Sequence, residues 1–254
     1  MTDRVQLLKM RRSLIATAAI GSLLVIAATT TWAAAAAPRP GTQLGGTVQL
    51  GGTNVPVRTP VCPAGVKPQS CVFVMTRVTA LQTLTNGNGS PTTVKQAGQL
   101  VGFTVGLAQL SSNSRTAASF AKTLNGKYGG GPAAQITVLR PGTNNRWSVA
   151  AQGPVVQLQR YLGYVVQFPL STPIPVRPGE AIGLTVTTWA PILSYNLAPK
   201  LYSYRQSRSL DCNSVGAQQN AQIKVGASAT YGCVYPGTRA EYSATELTSP
   251  VTPR

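Results

Sequence analysis

The chain has 254 residues with 22 Lys or Arg, five Asp or Glu and no His, a formal net charge of +17 at pH 7. Without histidine there is no Ser-His or Cys-His nucleophile pair, no imidazole acid or base and no His-bearing metal site. So few ionisable groups constrain the chemistry more than any motif does, and neither a cofactor nor a metal site is expected.

In chain order, Arg4, Lys9, Arg11 and Arg12 precede an apolar run from Leu14 to Ala28, and Thr29 to Trp32 lead into the alanine tract Ala33 to Ala37. Cations, apolar stretch and small residues in that order predict an export signal over residues 1–36, cut after Ala36 within a residue or two. The alternative is an uncleaved anchor, because Leu14 to Ala37 could span a bilayer that needs about 20 apolar residues. Arg11-Arg12-Ser13-Leu14-Ile15 also fits a twin-arginine signal, so both the general secretory route and the twin-arginine route stay open. The expected location is outside the cytoplasm, secreted or at the cell envelope, with membrane contact only through an uncleaved signal segment. Loss of residues 1–36 removes four cations and Asp3, leaving 18 cations against four acids, a formal +14.

Residues 37–60 are rich in Gly, Pro and Thr, and repeat Gln43-Leu44-Gly45-Gly46-Thr47 as Gln49-Leu50-Gly51-Gly52-Thr53. They read as a linker or a loosely held first strand. From 61 to 254 the expectation is one secreted domain.

In that domain the apolar pattern has period two wherever it is clear, punctuated by Gly, Pro and Asn. Strands are predicted over Cys71 to Val78, Leu100 to Leu110, Ala134 to Arg140, Trp147 to Ala151, Val155 to Phe168, Ala181 to Trp189 and Tyr231 to Thr245, with a turn at Asn86-Gly87-Asn88-Gly89. No long helical periodicity follows the signal helix. Ser111 to Pro132, with Gly129-Gly130-Gly131, reads as a long loop that is functional or structural slack. Pro173 and Pro175 mark an edge strand, and Pro178-Gly179 a tight turn. Many short strands at this spacing predict an all-β fold, an antiparallel β-sandwich of jelly-roll-like form.

Ile136-Thr137-Val138-Leu139-Arg140-Pro141, Trp147-Ser148-Val149-Ala150, Phe168-Pro169-Leu170 and Ile174-Pro175-Val176-Arg177-Pro178-Gly179-Glu180-Ala181-Ile182-Gly183-Leu184 carry a resemblance. This stretch resembles a group of exported actinobacterial β-sandwich proteins in which a VLRP strand precedes a PVxxGDxIGL hairpin. Glu180 stands where that group usually has Asp. The resemblance implies a fold and a compartment, and transfers no functional residue.

Cys62, Cys71, Cys212 and Cys233 form an even set at spacings of nine, 141 and 21. In an exported chain they predict two disulfides, with the local pairing Cys62 to Cys71 and Cys212 to Cys233 favoured among three connectivities. No Cys-x-x-Cys clamp supports a metal reading.

Two kinds of site are open. Tyr195 to Arg208 holds three tyrosines and three cations with no acid. On a strand, Tyr202, Tyr204 and Gln206 would share a face on which sugar rings could stack, with Tyr195 nearby and Lys200, Arg205 and Arg208 to hold anionic groups. The same run suits a half-buried edge strand with solvated cations. Trp147 is a further candidate for stacking, while Trp189 is expected to be buried at an end of the sandwich. The second kind is a carboxylate pair drawn from Glu180, Asp211, Glu241 and Glu246, which would have to flank one bond at roughly 5 to 10 Å. Glu180 lies in a turn, Asp211 beside a cysteine, and Glu241 and Glu246 five apart in a predicted strand, on opposite faces.

The expectation is a non-catalytic secreted or envelope-associated binding protein with affinity for anionic cell-envelope polymers or glycans. The alternatives are a polysaccharide hydrolase using a carboxylate pair and a purely structural surface protein. Scattered basic residues without a reading motif disfavour nucleic acid.

Overall fold

The computed structural model describes residues 45–52, 55–63, 73–213 and 220–250. The expected signal helix over 1–36 lies outside the described residues, as does Cys71. The described chain is an all-β antiparallel sandwich with one α-helix among its described elements.

The smaller sheet runs β1 (Thr47–Leu50), β15 (Tyr242–Thr248), β4 (Gly98–Gly106), β8 (Val165–Val176). The larger runs β12 (Ser228–Thr230), β6 (Arg146–Gln152), β5 (Ala133–Pro141), β9 (Ala181–Pro191), β2 (Val74–Thr85), β11 (Ser203–Gln206), β13 (Cys233–Pro236). Two short strands join it from the side, β3 (Asn88–Gly89) on β2 and β7 (Val156–Gln157) on β5. A separate ribbon pairs β10 (Leu193–Ser194) with β14 (Arg239–Ala240).

The core follows from the pleat, which sends alternate residues of a strand to opposite faces. Val78 and Ala80 of β2, Ile136 and Val138 of β5, and Ile182, Leu184 and Val186 of β9 meet Leu100, Phe103 and Val105 of β4 and Tyr242 and Ala244 of β15 in one buried cluster. Tyr242 reaches across the sandwich, and its hydroxyl donates to Ile182 O at 3.0 Å. Burial raises its pKa.

Local chemistry fixes the corners. Asn86 and Gly87 both take positive φ, 49° and 79°, the left-handed pair that a two-residue hairpin between β2 and β3 demands. Gly179, at φ 87°, follows Pro178 in a turn closed by Glu180 N donating to Arg177 O at 3.1 Å. That turn is a corner between the sheets rather than a hairpin, because β8 pairs with β4 while β9 pairs with β5 and β2. The prolines of β8 sit, as expected, on an edge strand.

Several sequence expectations change, and Tyr231 to Thr245, read as one strand, is divided among β13, β14 and β15 in three different sheets. Within the segment read as a linker or a loosely held first strand, Thr47–Leu50 form β1 of the smaller sheet, pairing Thr47 with Leu247 and Leu50 with Ala244. Val155 to Phe168 is not one strand but β7, a 3-10 turn at Gln159–Tyr161 and the start of β8. The loop expected at Ser111 to Pro132 is largely helix α1 (Ser114–Tyr128). Asn113 caps it by accepting from Thr116 N at 2.9 Å, and Gly129, at φ 77°, ends it by donating to Asn125 O at 3.0 Å. The glycine run taken for slack is this helix stop.

Helix α1 packs Ala121 and Tyr128 on Trp189, which is fully buried and donates its indole N–H to Asn125 Oδ1 at 3.0 Å and Gly130 O at 3.1 Å. Arg77 sits at a bulge of β2 with φ 41°, and its Nε donates to Tyr128 O at 3.1 Å, placing a cation at the helix C-terminus.

Cys212 and Cys233 form a disulfide with Cα atoms 5.3 Å apart. Cys62 is also disulfide-bonded. The Cys212 to Cys233 bridge indicates oxidising surroundings. No helix among the described residues is long and apolar enough to cross a membrane.

Candidate functional site

The ribbon of β10 and β14 sets Ser194 opposite Arg239 and carries the chain directly into Glu241. Arg239 and Glu241 are both buried, with Arg239 Nη1 3.4 Å from Glu241 Oε2. Arg239 also donates to Pro56 O at 3.1 Å, Gly51 O at 3.2 Å and Val55 O at 2.9 Å, so its guanidinium clamps the N-terminal arm to the sandwich. Glu241 Oε2 accepts from Arg58 N at 3.1 Å, and the Ser194 hydroxyl also hydrogen-bonds to this carboxylate. Burial pushes the Glu241 pKa up, opposed by Arg239, Ser194 and Arg58. Burial pushes Arg239 down, opposed chiefly by Glu241 and then Tyr202.

The arm can lie this close because residue 106 is glycine: a Cβ there would stand 1.9 Å from Arg58 O. Arg58 is thereby held at the mouth of a cleft of about 260 Å³ lined also by Tyr195, Tyr202, Asn196, Arg239 and Glu241. Two guanidinium groups and one carboxylate leave this cleft with a net positive charge. Its aromatic walls and single cationic excess suit a sugar ring bearing an acid group.

Of the expected site residues, Tyr195 and Tyr202 are brought together here. A neighbouring cleft of about 160 Å³ is lined by Tyr195, Tyr204, Gln206, Arg208 and Tyr235. Tyr195 therefore forms part of the wall of both. The expected ladder of Tyr202, Tyr204 and Gln206 does not form. Tyr202 belongs to a turn in which its N–H donates to Ala198 O at 3.1 Å, and β11 starts only at Ser203. Tyr204 faces the core and stacks on Tyr235 with ring centroids 5.0 Å apart. Arg205 donates to Tyr231 O at 2.7 Å, and Arg208, buried, donates from Nε to Gln206 Oε1 at 2.8 Å. Trp147 packs edge-on against Tyr231 at 6.4 Å and lines neither of these two clefts.

The four carboxylates outside the signal region have different surroundings. Glu180 faces Arg140 at 3.1 Å and accepts from Arg177 N at 2.9 Å. Asp211 is exposed. Glu246 is buried beyond a register shift in β15, with Oε1 lacking a hydrogen-bond partner. It lies five positions beyond Glu241, which precedes β15, or about 16 Å along an extended chain.

Arg58, Arg239 and Glu241 carry the cleft, and sequence reasoning did not single out the two arginines. They are 181 residues apart in the chain, and no local motif joins them. Comparison with known proteins adds no name: no known family matches the chain, and no curated protein or solved structure is similar to it.

Proposed function

We propose that this is a non-catalytic secreted or cell-envelope-associated protein that binds anionic polymers or glycans, and that the cleft between the N-terminal arm and the β10 to β11 loop is its contact site. The observation that carries the reading is the placement of Tyr195 and Tyr202 beside Arg58 and the buried Arg239. The excess of 18 cations over four acids after residue 36 adds long-range attraction to an anionic polymer. Residues 1–36 have the order of an export signal, and the Cys212 to Cys233 disulfide agrees with that destination. The non-catalytic reading draws on the clefts themselves: of the two described above, one contains an acid, and that acid faces an arginine.

Titration of the protein with oligogalacturonate and with an uncharged oligosaccharide of equal length tests the reading. The acidic chain is expected to bind, to weaken steeply with added salt, and to lose about tenfold in affinity on Arg58→Gln or Tyr202→Ala. Equal binding of the two sugars, or full affinity in both variants, would overturn it.

A further inference from the structure

A third cleft, about 540 Å³, is bordered by the same arm. Thr59 and Val61 belong to the walls of both this cleft and the one beside Arg239. Its lining has no charged residue and includes Phe73, Leu110, Val61 and Phe120. Two of these are unusually exposed for large apolar side chains, Phe120 at 48 % and Val61 at 72 %. Phe120 flanks the face of α1 that packs on Trp189, one turn before Leu124, and stays half exposed at the rim of that contact.

The arm thus borders both an apolar recess and a cationic one, and a molecule lying along Thr59 and Val61 would meet both. We infer that the two clefts together take an amphiphile, with its acid group beside Arg58 and its hydrocarbon chain along Phe120, Leu110 and Phe73. Charge decides the polarity of the ligand: the only acid in either wall, Glu241, is already matched by Arg239, which leaves Arg58 as the cationic excess. The burial of methylenes decides its other end, since each one removed from water strengthens binding about fourfold. The inference rests on the reading of the Arg58 cleft as an anion site and narrows its ligand from any anionic glycan to one that bears a lipid tail.

Monomeric butyl phosphate and decyl phosphate, titrated calorimetrically below micelle-forming concentration, provide the test. Decyl phosphate is expected to bind at one site and at least tenfold more tightly than butyl phosphate. Phe120→Ser, at an exposed position, should erase most of that difference while leaving butyl phosphate unchanged, and Arg58→Gln should weaken both. Affinity independent of chain length, or a chain-length effect that survives Phe120→Ser, would overturn the inference. Should oligogalacturonate still bind in that event, the anionic-glycan reading stands without the lipid. Should oligogalacturonate and both phosphates all fail to bind, the two fall together.

Discussion

The two faces of the larger sheet are built from the same strands and solve burial in opposite ways. Inward, Val78, Ala80, Ile136, Val138, Ile182, Leu184 and Val186 form a dry apolar layer against the smaller sheet. Outward, the intervening Thr79, Thr137 and Thr185 are equally buried but joined by hydroxyl contacts, Thr79 to Thr185 at 2.8 Å and Thr137 to Thr185 at 2.7 Å. Gln222 closes this layer from above. Its N–H donates to Thr79 Oγ1 at 3.1 Å and its amide group donates to Trp147 O at 3.0 Å and Ala227 O at 2.9 Å, while its carbonyl accepts from the Tyr231 hydroxyl. Burial holds the Tyr231 pKa well above the usual tyrosine value. The outer face is therefore covered by chain without regular structure over Asn220 to Ala227, and its polar backbone is tolerable there only because the threonines and Gln222 supply partners.

Adjacent substitutions on β9 should separate the two solutions. Leu184→Ala opens a cavity in the apolar layer and is expected to cost about 2 to 5 kcal/mol, measured by chemical denaturation. The disulfide comes next in size. Cys212 and Cys233 bracket the covering segment at a separation of 21 residues, and replacing both with serine should cost about 3 kcal/mol. The loss should come with faster amide exchange at Gln222, whose N–H in that segment donates to Thr79 Oγ1. Exchange unchanged there would mean that the cover stays down without its tether. Thr185→Val keeps shape but removes the hydroxyl shared by two threonines, and about 1 to 3 kcal/mol is expected to be lost. A cost near zero would show that Thr79 and Thr137 repair the layer by pairing directly.

The difference between the faces also explains what could be read in the sequence. Period-two alternation is visible in Ile136-Thr137-Val138 or Leu184-Thr185-Val186 whichever face is covered, so the strands and the sandwich were legible. The turn at Asn86-Gly87, the edge prolines of β8 and the burial of Trp189 were legible for equally local reasons. Helix α1 was not, because its buried stripe consists of Ala121 and Tyr128 with little between, and its interior tolerates Gly126 at a cost of about 1 kcal/mol. Asn113 before it and Gly129 after it were the available signals. The tyrosine and cation run at Tyr195 to Arg208 pointed to part of the candidate site, but it read as one strand. A turn at Ala198 to Tyr202 sends Tyr202 to the cleft and Tyr204 to the core. Arg58, Arg239 and Glu241 meet only through the docking of the arm, and no local pattern encodes that.

The smaller sheet supplies a buried acid that sharpens the contrast, because no threonine layer serves it. Glu246 is 1 % exposed beside Gly98, and burial raises its pKa. Glu241 is raised as well, though Arg239 and Ser194 hold it back. A carboxyl whose folded pKa exceeds its unfolded value contributes stability that is complete below the unfolded value, about 4.3, and lost as pH rises through the folded one. These two groups should therefore make the protein more resistant to denaturant as pH falls from about 8 toward about 5, the reverse of the usual acid response. Glu246→Gln removes the charge while keeping the shape, and is expected to flatten that rise and leave the protein at least as stable as the parent at neutral pH. A Glu246→Gln protein whose denaturant midpoint tracks the parent at every pH would show that Glu246 takes up no extra proton on folding, and that the smaller sheet accommodates its charge without the partners the larger sheet requires.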